Sequence, residues 1–195
     1  MGTRGLYGFR KNGVDKTTYN HFDSYPDVLG KNILSFISEH GYEMNKIFDN
    51  IIMVDETNFP SDEQIGECKK YLDDSVGEQT EEDWYCLLRN TQGDLFPYAE
   101  DGLKYMIDNQ DFILDSLWCE YAYIINLDTN KLEFWLGFQH TPDATNRYGT
   151  ESFDNAREYY PCKLIKEYNL SDIIGKDENS LDEIVEDMNK ESKED

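Results

Sequence analysis

Positive charge is scarce in this sequence. Its 195 residues include 18 Lys and Arg against 41 Asp and Glu, for a formal net charge of −23. A nucleic-acid-binding surface needs basic residues to displace counterions from phosphates, and an anionic membrane surface likewise attracts basic segments. We therefore predict no direct contact with nucleic acid or with a membrane, and we consider a basic protein as the partner.

Paired metal-ligating motifs and long apolar runs are also missing. The four cysteines are far apart without C-x-x-C spacing, and the three histidines are scattered, so we predict no metal site, no redox motif and no cofactor. No apolar run approaches the ~20 residues of a membrane span, and the N-terminus does not resemble a signal peptide. We expect a cytoplasmic protein with reduced, mostly buried thiols.

The acidic residues are unevenly distributed along the chain. Residues 1–35 carry a net charge of +2, residues 61–117 carry −11 and the last 25 residues carry −7. The acidity is therefore expected on the middle segments and the tail. A site in the N-terminal segment remains compatible with an anion.

The first 41 residues predict two strands and a helix. Residues 5–10 form a short apolar run, Asn12-Gly13 is a typical hairpin turn, and residues 14–22 alternate in polarity. Pro26 lies where the first turn of a helix tolerates proline. Apolar residues then recur at helical spacing until His40-Gly41.

The middle of the chain predicts mainly helices. Residues 42–60 fit either a helix or a short buried strand. A capping box at Ser61 and Gln64 predicts a helix whose apolar stripe continues to Val76. The following segments are predicted as a helix opening at Thr80, a loop over residues 93–102 and a short helix over residues 103–107.

Strands dominate the last third. Residues 118–127 and 131–138 alternate and are rich in aromatic and β-branched side chains, and the short turn between them predicts an antiparallel hairpin. Residues 139–158 form a polar loop long enough to be functional or mobile. Residues 160–170 predict a final strand.

These elements together predict an α+β fold. An antiparallel sheet, built from both hairpins and the late strand, is expected to be covered by helices from the middle of the chain. We assign residues 1–170 to a single domain and residues 171–195 to an acidic tail. In the tail, a capping box at Ser180 and Glu183 predicts a short amphipathic helix that frays from Lys190.

The densest group of polar and aromatic residues lies between the second strand and the first helix. Alternation places His21 and Asp23 on one face, within reach of a side-chain hydrogen bond. A carboxylate that orients an imidazole is a feature of catalytic triads, and the N–H groups of the following helix offer an anion site. The alternative is structural, with Asp23 or Ser24 capping the helix. The candidates for ligand binding are Arg4, Tyr19, Asn20, His21, Asp23 and Ser24.

Glu120 joins His21 and Asp23 as a candidate catalytic residue. It lies in a strongly apolar segment and is predicted to be a buried carboxylate, with Arg4 as its partner, because a buried charge without a partner is costly. The alternative is an exposed position at a sheet edge. Four residues of the long loop are expected either to line a pocket mouth or to be solvated: Gln139, His140, Arg147 and Tyr148.

Two strings of residues resemble a family of proteins of unassigned activity in bacteria, phages and fungi. Met1-Gly2-Thr3-Arg4-Gly5, followed by the segment from Tyr19 to Pro26 and by Leu29-Gly30, is similar to the opening of these proteins. Members also show a segment like that from Trp118 to Asp128. The resemblance covers both hairpins and implies a shared site at Arg4, Asn20, His21, Asp23 and Glu120.

The sequence is compatible with three functions and specifies neither a reaction nor an oligomeric state. The first is an acidic binding protein that docks on a basic partner, in its sharpest form a phage-type inhibitor that mimics phosphate charge. The second is a small hydrolase or nucleotide-binding protein that uses Arg4, His21, Asp23 and Glu120. The third is a protein that binds a small anionic, nucleotide-like ligand through Arg4 and the helix terminus.

Overall fold

A five-stranded sheet forms the centre of the computed structural model, which describes residues 2–75, 80–153 and 158–194. The strands in chain order are β1 (Gly5–Lys11), β2 (Val14–Asn20), β3 (Ile52–Val54), β4 (Tyr105–Ile107), β5 (Tyr121–Asn126), β6 (Lys131–Leu136) and β7 (Lys163–Asn169). The large sheet has the order β2-β1-β5-β6-β7, while β3 and β4 form a separate parallel pair.

Short helices connect and cover the strands. They are α1 (Lys31–His40), α2 (Met44–Asn50), α3 (Asp62–Cys68), α4 (Trp84–Leu87), α5 (Phe96–Glu100) and α6 (Glu178–Glu194). A π-helical turn over Pro26–Gly30 leads directly into α1. In the part of the chain that the structure describes, no helix has the length and apolar character needed to cross a membrane.

The predicted α+β fold is confirmed. Asn12 and Gly13 have positive φ angles of 53° and 74°, as the tight turn between β1 and β2 requires. Both predicted hairpins are antiparallel, and β7 extends the second one. The two hairpins join through a parallel pairing of β1 with β5, which aligns Gly5 with Tyr121 and brings Arg4 beside Glu120.

The sheet separates two hydrophobic clusters. The larger one packs the rings of Tyr7, Phe9, Tyr123 and Phe134 against the middle segments and the C-terminal helix. The smaller one lies on the opposite face and contains Leu6, Cys119, Ala122, Ile124, Trp135, Ile113 and Cys162. All four cysteines are free and buried, so they contribute as small apolar side chains.

The ambiguous segment 42–60 contains both a helix, α2, and a strand, β3. The capping box at Ser61 and Gln64 is confirmed and starts α3. The stripe predicted to run on to Val76 is shorter than expected, because a 3-10 turn over Lys69–Tyr71 closes the helix and the chain is extended at Leu72. Val76 lies outside the described residues.

Three predictions in the middle of the chain are wrong. The helix expected to open at Thr80 begins at Trp84, because the Asp83 side chain accepts hydrogen bonds from the first free N–H groups. The predicted loop over residues 93–102 contains α5. The predicted helix over residues 103–107 contains β4, where pairing with β3 satisfies the backbone of a three-residue apolar run.

The C-terminal helix also differs from expectation. It starts at Glu178 instead of Ser180, because Asp177 accepts a 3.0 Å hydrogen bond from the Ser180 N–H. It continues as a helix to Glu194 instead of fraying from Lys190, and Asp195 lies outside the described residues. Its apolar stripe is buried in the larger cluster through Leu181, Val185 and Met188.

Candidate functional site

The segment that follows β2 is held against β1 by buried polar contacts. Ser24 is fully buried, and its N–H donates to the Thr3 carbonyl at 3.2 Å. Asn20, also buried, donates from Nδ2 to Ser24 Oγ at 2.9 Å. Gly5 permits this close approach, since a Cβ there would lie 2.7 Å from Ser24. Asn20 and Ser24 therefore fix the conformation of this segment through buried hydrogen bonds.

His21 pairs with Tyr19 rather than with Asp23. The Tyr19 hydroxyl and His21 Nδ1 share a 2.8 Å hydrogen bond, and the His21 N–H donates to Gln92 Oε1 at 3.3 Å. Asp23 is exposed and adopts a φ of 55°, which ends the alternation of the strand. The alternation that placed His21 beside Asp23 therefore fails because β2 ends at Asn20.

The start of the first helix does not provide the predicted anion site. The N–H groups of Val28 and Gly30 donate to the Tyr25 carbonyl, and that of Leu29 donates to the Asp23 carbonyl. These N–H groups are already satisfied by the backbone. Neither Asp23 nor Ser24 caps the turn with its side chain, so the structural alternative is not realised either.

Arg4 meets Glu120 through its backbone. The Arg4 N–H donates to Glu120 Oε1 at 3.2 Å, and the Glu120 N–H donates to the Arg4 carbonyl at 3.1 Å. The Arg4 guanidinium lies 4.6 Å from the centre of the Trp118 ring. Burial raises the pKa of Tyr19, and the charge of Arg4 opposes this rise. Glu120 is only partly buried, so the predicted buried ion pair is replaced by a backbone contact.

Arg89 is the site residue that was not among the candidates predicted from the sequence. It follows α4, in a 3-10 turn over Arg89–Thr91. Its Nη1 donates to the Tyr85 hydroxyl at 2.7 Å and to Gln92 Oε1 at 2.6 Å, and its guanidinium lies 5.4 Å from the centre of the Phe22 ring. Gln92 thus contacts both Arg89 and the His21 backbone.

Arg4, His21 and Arg89 form one cationic site, which we name the Arg4–His21–Arg89 cluster. Among the described residues, neither arginine forms an ion pair with a carboxylate. Burial lowers the pKa of His21 from 6.5, and the charges of Arg89 and Arg4 lower it further. The imidazole therefore lies in the field of two guanidiniums, which are groups that suit carboxylate or phosphate oxygens.

Two cavities adjoin this cluster. The larger, which we name the acidic cleft, has a volume of about 630 Å³ and is lined by Asn20, Phe22, Asp23, Asp27, Lys31, Asp73, Arg89, Gln92 and Asp94, among others. The smaller, which we name the tyrosine pocket, has a volume of about 240 Å³ and is lined by Tyr7, Thr18, Tyr19, Glu56, Tyr85, Leu88, Thr91, Gln92, Tyr98, Ile107, Asn109 and Phe112. Gln92 lines both cavities.

The remaining candidate residues lie in other places. Glu120, Gln139 and His140 line a third cavity of about 360 Å³ together with Lys163 and Ser192. Neither His21 nor Asp23 lines that cavity. The structure thus brings Arg4, Tyr19 and His21 together, places Asp23 in the acidic cleft and places the Glu120 side chain in a separate cavity.

Arg147 and Tyr148 hold the long loop on the smaller core. Arg147 donates to both carboxylate oxygens of Glu133 at 2.7 and 2.6 Å, and Glu133 is 1% exposed. Asn126 and Trp135 donate to the same carboxylate at 2.7 and 3.1 Å. Among the described residues, Glu133 is therefore the buried carboxylate, although the sequence did not single it out, and its hydrogen bonds hold the long loop on the sheet.

One group of described residues has the geometry of a weak cation site. Single ligand atoms of Glu39, His40 and Glu100 lie within 4.8 Å of one another. His40 already contacts carboxylates through both ring nitrogens, with Glu43 at 3.4 Å and Glu100 at 3.2 Å. These contacts account for the grouping without an ion.

Comparison with protein-family models, curated proteins and solved structures matched none of them to this chain.

Proposed function

We propose that this protein binds a small anionic ligand at the Arg4–His21–Arg89 cluster. The observation that supports this most is the position of two arginines beside His21 without a carboxylate partner among the described residues. In a chain with 41 acidic residues, a carboxylate partner is easily available to an arginine. Leaving both guanidiniums without one is the arrangement expected of an anion site.

Aromatic neighbours prepare the two guanidiniums for a ligand. Arg4 lies over Trp118, and Arg89 lies near the rings of Phe22 and Tyr85, with centres 5.4 and 5.1 Å from its guanidinium carbon. Stacking holds a planar guanidinium in place without neutralising its charge. Preorganised groups lose less entropy when the ligand binds, which favours affinity.

Binding has more support than hydrolysis. A His–Asp mechanism needs the Asp23 carboxylate at the imidazole, whereas the His21 ring is hydrogen-bonded to Tyr19 and Asp23 lines the acidic cleft. The His21 imidazole carries an N–H group that can donate a hydrogen bond to a bound anion. The proposal therefore assigns His21 to binding and includes no turnover.

Isothermal titration with inorganic phosphate tests the proposal. We expect saturable binding that weakens about tenfold or more in Arg89→Gln, since a charge-assisted contact is lost. Lys46→Gln on α2 is the matched control, because it removes one exposed positive charge outside the cluster. Equal affinities of the two variants would contradict the proposal, as would the absence of binding to the unmodified protein.

A second candidate function is docking on a basic protein through the acidic cleft. Four carboxylates line this cleft, from Asp23, Asp27, Asp73 and Asp94, against the cations of Lys31 and Arg89. Burial raises the pKa of Asp94, and the nearby Glu100 and Asp101 carboxylates raise it further. A Lys or Arg side chain from a partner would relieve this cost. In its most specific form, this candidate is a phage-type inhibitor that mimics phosphate charge.

Binding to a basic nucleic-acid-binding protein at increasing salt tests the second candidate. Affinity should fall steeply with ionic strength, and Asp94→Asn should weaken it more than Glu186→Gln, which removes an exposed charge on α6. Salt-independent binding, or equal effects of the two variants, would rule out docking through the acidic cleft.

A further inference from the structure

We infer that the ligand is a guanine nucleotide of the monophosphate class, with its phosphate on the Arg4–His21–Arg89 cluster and its base in the tyrosine pocket. This inference rests on the proposed anion site and adds the part of the ligand that lies beyond the anion. Three features of the tyrosine pocket support it: its connection to the cationic cluster, its volume and the residues that line it.

The pocket and the cationic cluster share walls. Tyr19 and Tyr85 line the pocket. Their hydroxyl groups reach the cluster, since Tyr19 bonds His21 Nδ1 at 2.8 Å and Tyr85 accepts from Arg89 Nη1 at 2.7 Å. A ligand whose ring lies among these tyrosines therefore has its anionic substituent within reach of the guanidiniums.

The volume of the pocket restricts what enters it. At about 240 Å³ it is just below the range of about 300–1,000 Å³ that is usual for pockets holding drug-sized ligands. A single fused ring system fits such a space. The phosphate of the ligand then remains outside the pocket, at the cluster.

The lining of the pocket favours a flat aromatic ring. The Tyr7 hydroxyl donates to the Thr91 carbonyl at 2.9 Å, and the Tyr98 hydroxyl donates to the Tyr105 carbonyl at 3.0 Å. With their polar atoms already satisfied, both residues offer aromatic carbon to the ligand. Phe112, which packs edge-on against Tyr19 at 5.0 Å between ring centres, adds a further ring. Bases bind to such surfaces by stacking.

Glu56 supplies the polar recognition. Among the described residues that line the pocket it is the one carboxylate, and Asn109 lines the same pocket. Asn109 is itself fixed by the Tyr19 N–H, which donates to its Oδ1 at 3.1 Å. A carboxylate accepts two parallel N–H groups side by side. Guanine presents two adjacent N–H donors on its pairing edge, whereas adenine presents one amino group.

Titrations with guanosine monophosphate, adenosine monophosphate, guanosine and inorganic phosphate test the inference. We expect guanosine monophosphate to bind about tenfold or more tightly than phosphate or adenosine monophosphate, the discrimination that a bidentate contact typically provides. Glu56→Gln should remove this preference and leave phosphate affinity unchanged. Glu183→Gln, an exposed charge on α6, should change neither.

The outcomes separate this inference from the proposed function. If phosphate binds but the guanine nucleotide binds no more tightly than phosphate or than the adenine nucleotide, the inference is overturned and the anion site stands. A guanine preference that survives Glu56→Gln overturns the role of Glu56 and with it the stated recognition. If none of the four compounds binds, both the inference and the anion site are overturned.

Discussion

Single side chains determine where positive charge is available in this molecule. Arg10 lies 2.7 Å from Asp15, and Lys166 lies 2.7 Å from Asp187, so their charges are neutralised locally. Arg4 and Arg89 contact aromatic rings and neutral hydrogen-bond partners instead. Acidic residues outnumber basic ones more than twofold, so a shortage of carboxylates does not explain this difference. The difference arises from the groups around each cation, which are carboxylates for Arg10 and Lys166 and aromatic rings for Arg4 and Arg89.

The stability of the fold depends on the buried Glu133 carboxylate. We expect Glu133→Gln to lower the free energy of unfolding by about 3 kcal/mol, because breaking a buried pair leaves the Arg147 charge uncompensated. Urea denaturation measures the change. Glu167→Gln is the control, and we expect it to cost less than about 1 kcal/mol, since its pair with Lys131 is about one-third exposed. Equal costs would contradict the structural role of Glu133.

The candidate site could be predicted from the sequence only where its contacts are local. Tyr19 and His21 are two residues apart in the chain, and their cluster was visible from composition alone. The contact between His21 and Gln92 spans 71 positions, and no local pattern encodes it. Arg89 did carry a signal, because no acidic residue lies three or four positions from it in an otherwise acidic segment.

The contribution of α6 to the hydrophobic core is not evident from its acidic composition. It is strongly acidic, yet Leu181, Val185 and Met188 are buried against the rest of the core. Lys31 contacts Glu178 and Asp182 near its start, but such exposed pairs add little to stability. The apolar stripe therefore holds the helix in place.

Shortening one buried side chain of α6 tests this view. Met188 is fully buried, so Met188→Ala should lower the free energy of unfolding by about 2–5 kcal/mol through lost contacts and the resulting cavity. Glu186→Ala, at an exposed position of the same helix, should stay within about 0.5 kcal/mol. Denaturation curves give both values. If Met188→Ala has no measurable cost, residues 171–195 behave as a separate tail, as the domain assignment from the sequence has it.

Elements with local signals were predicted well, and short elements without them were not. The Asn12-Gly13 turn and the Ser61 capping box each specify a backbone conformation within a few residues. Strand β4 has only three residues, and it becomes a strand by pairing with β3, which aligns Tyr105 with Ile52. Over three residues, helical and extended apolar patterns are the same.

At the scale of the whole molecule, the fold separates two kinds of charge. The segment before residue 36 carries +2, and together with Arg89 it builds the cationic cluster. The acidic cleft lies beside this cluster and shares Arg89 and Gln92 with the site. The cluster attracts an anion locally, whereas the net charge of −23 on the whole molecule repels it. Salt screens both effects, so high salt should weaken phosphate binding less than it weakens docking on a basic protein.

The His21 imidazole reports on the cluster most directly. Burial and the charges of Arg89 and Arg4 hold its pKa below 6.5. A bound phosphate opposes those charges and favours the protonated ring, so the pKa of His21 should rise in the complex. The bound state then takes up a proton at His21, so the His21 contribution favours binding as the pH falls through that raised pKa.

The decisive measurement is an NMR titration of the His21 ring over pH with and without inorganic phosphate. The account predicts a pKa below 6.5 in the free protein, an increase when phosphate is present, and no increase in Arg89→Gln. A His21 pKa that phosphate leaves unchanged in the unmodified protein would contradict the central claim that this cluster binds an anion.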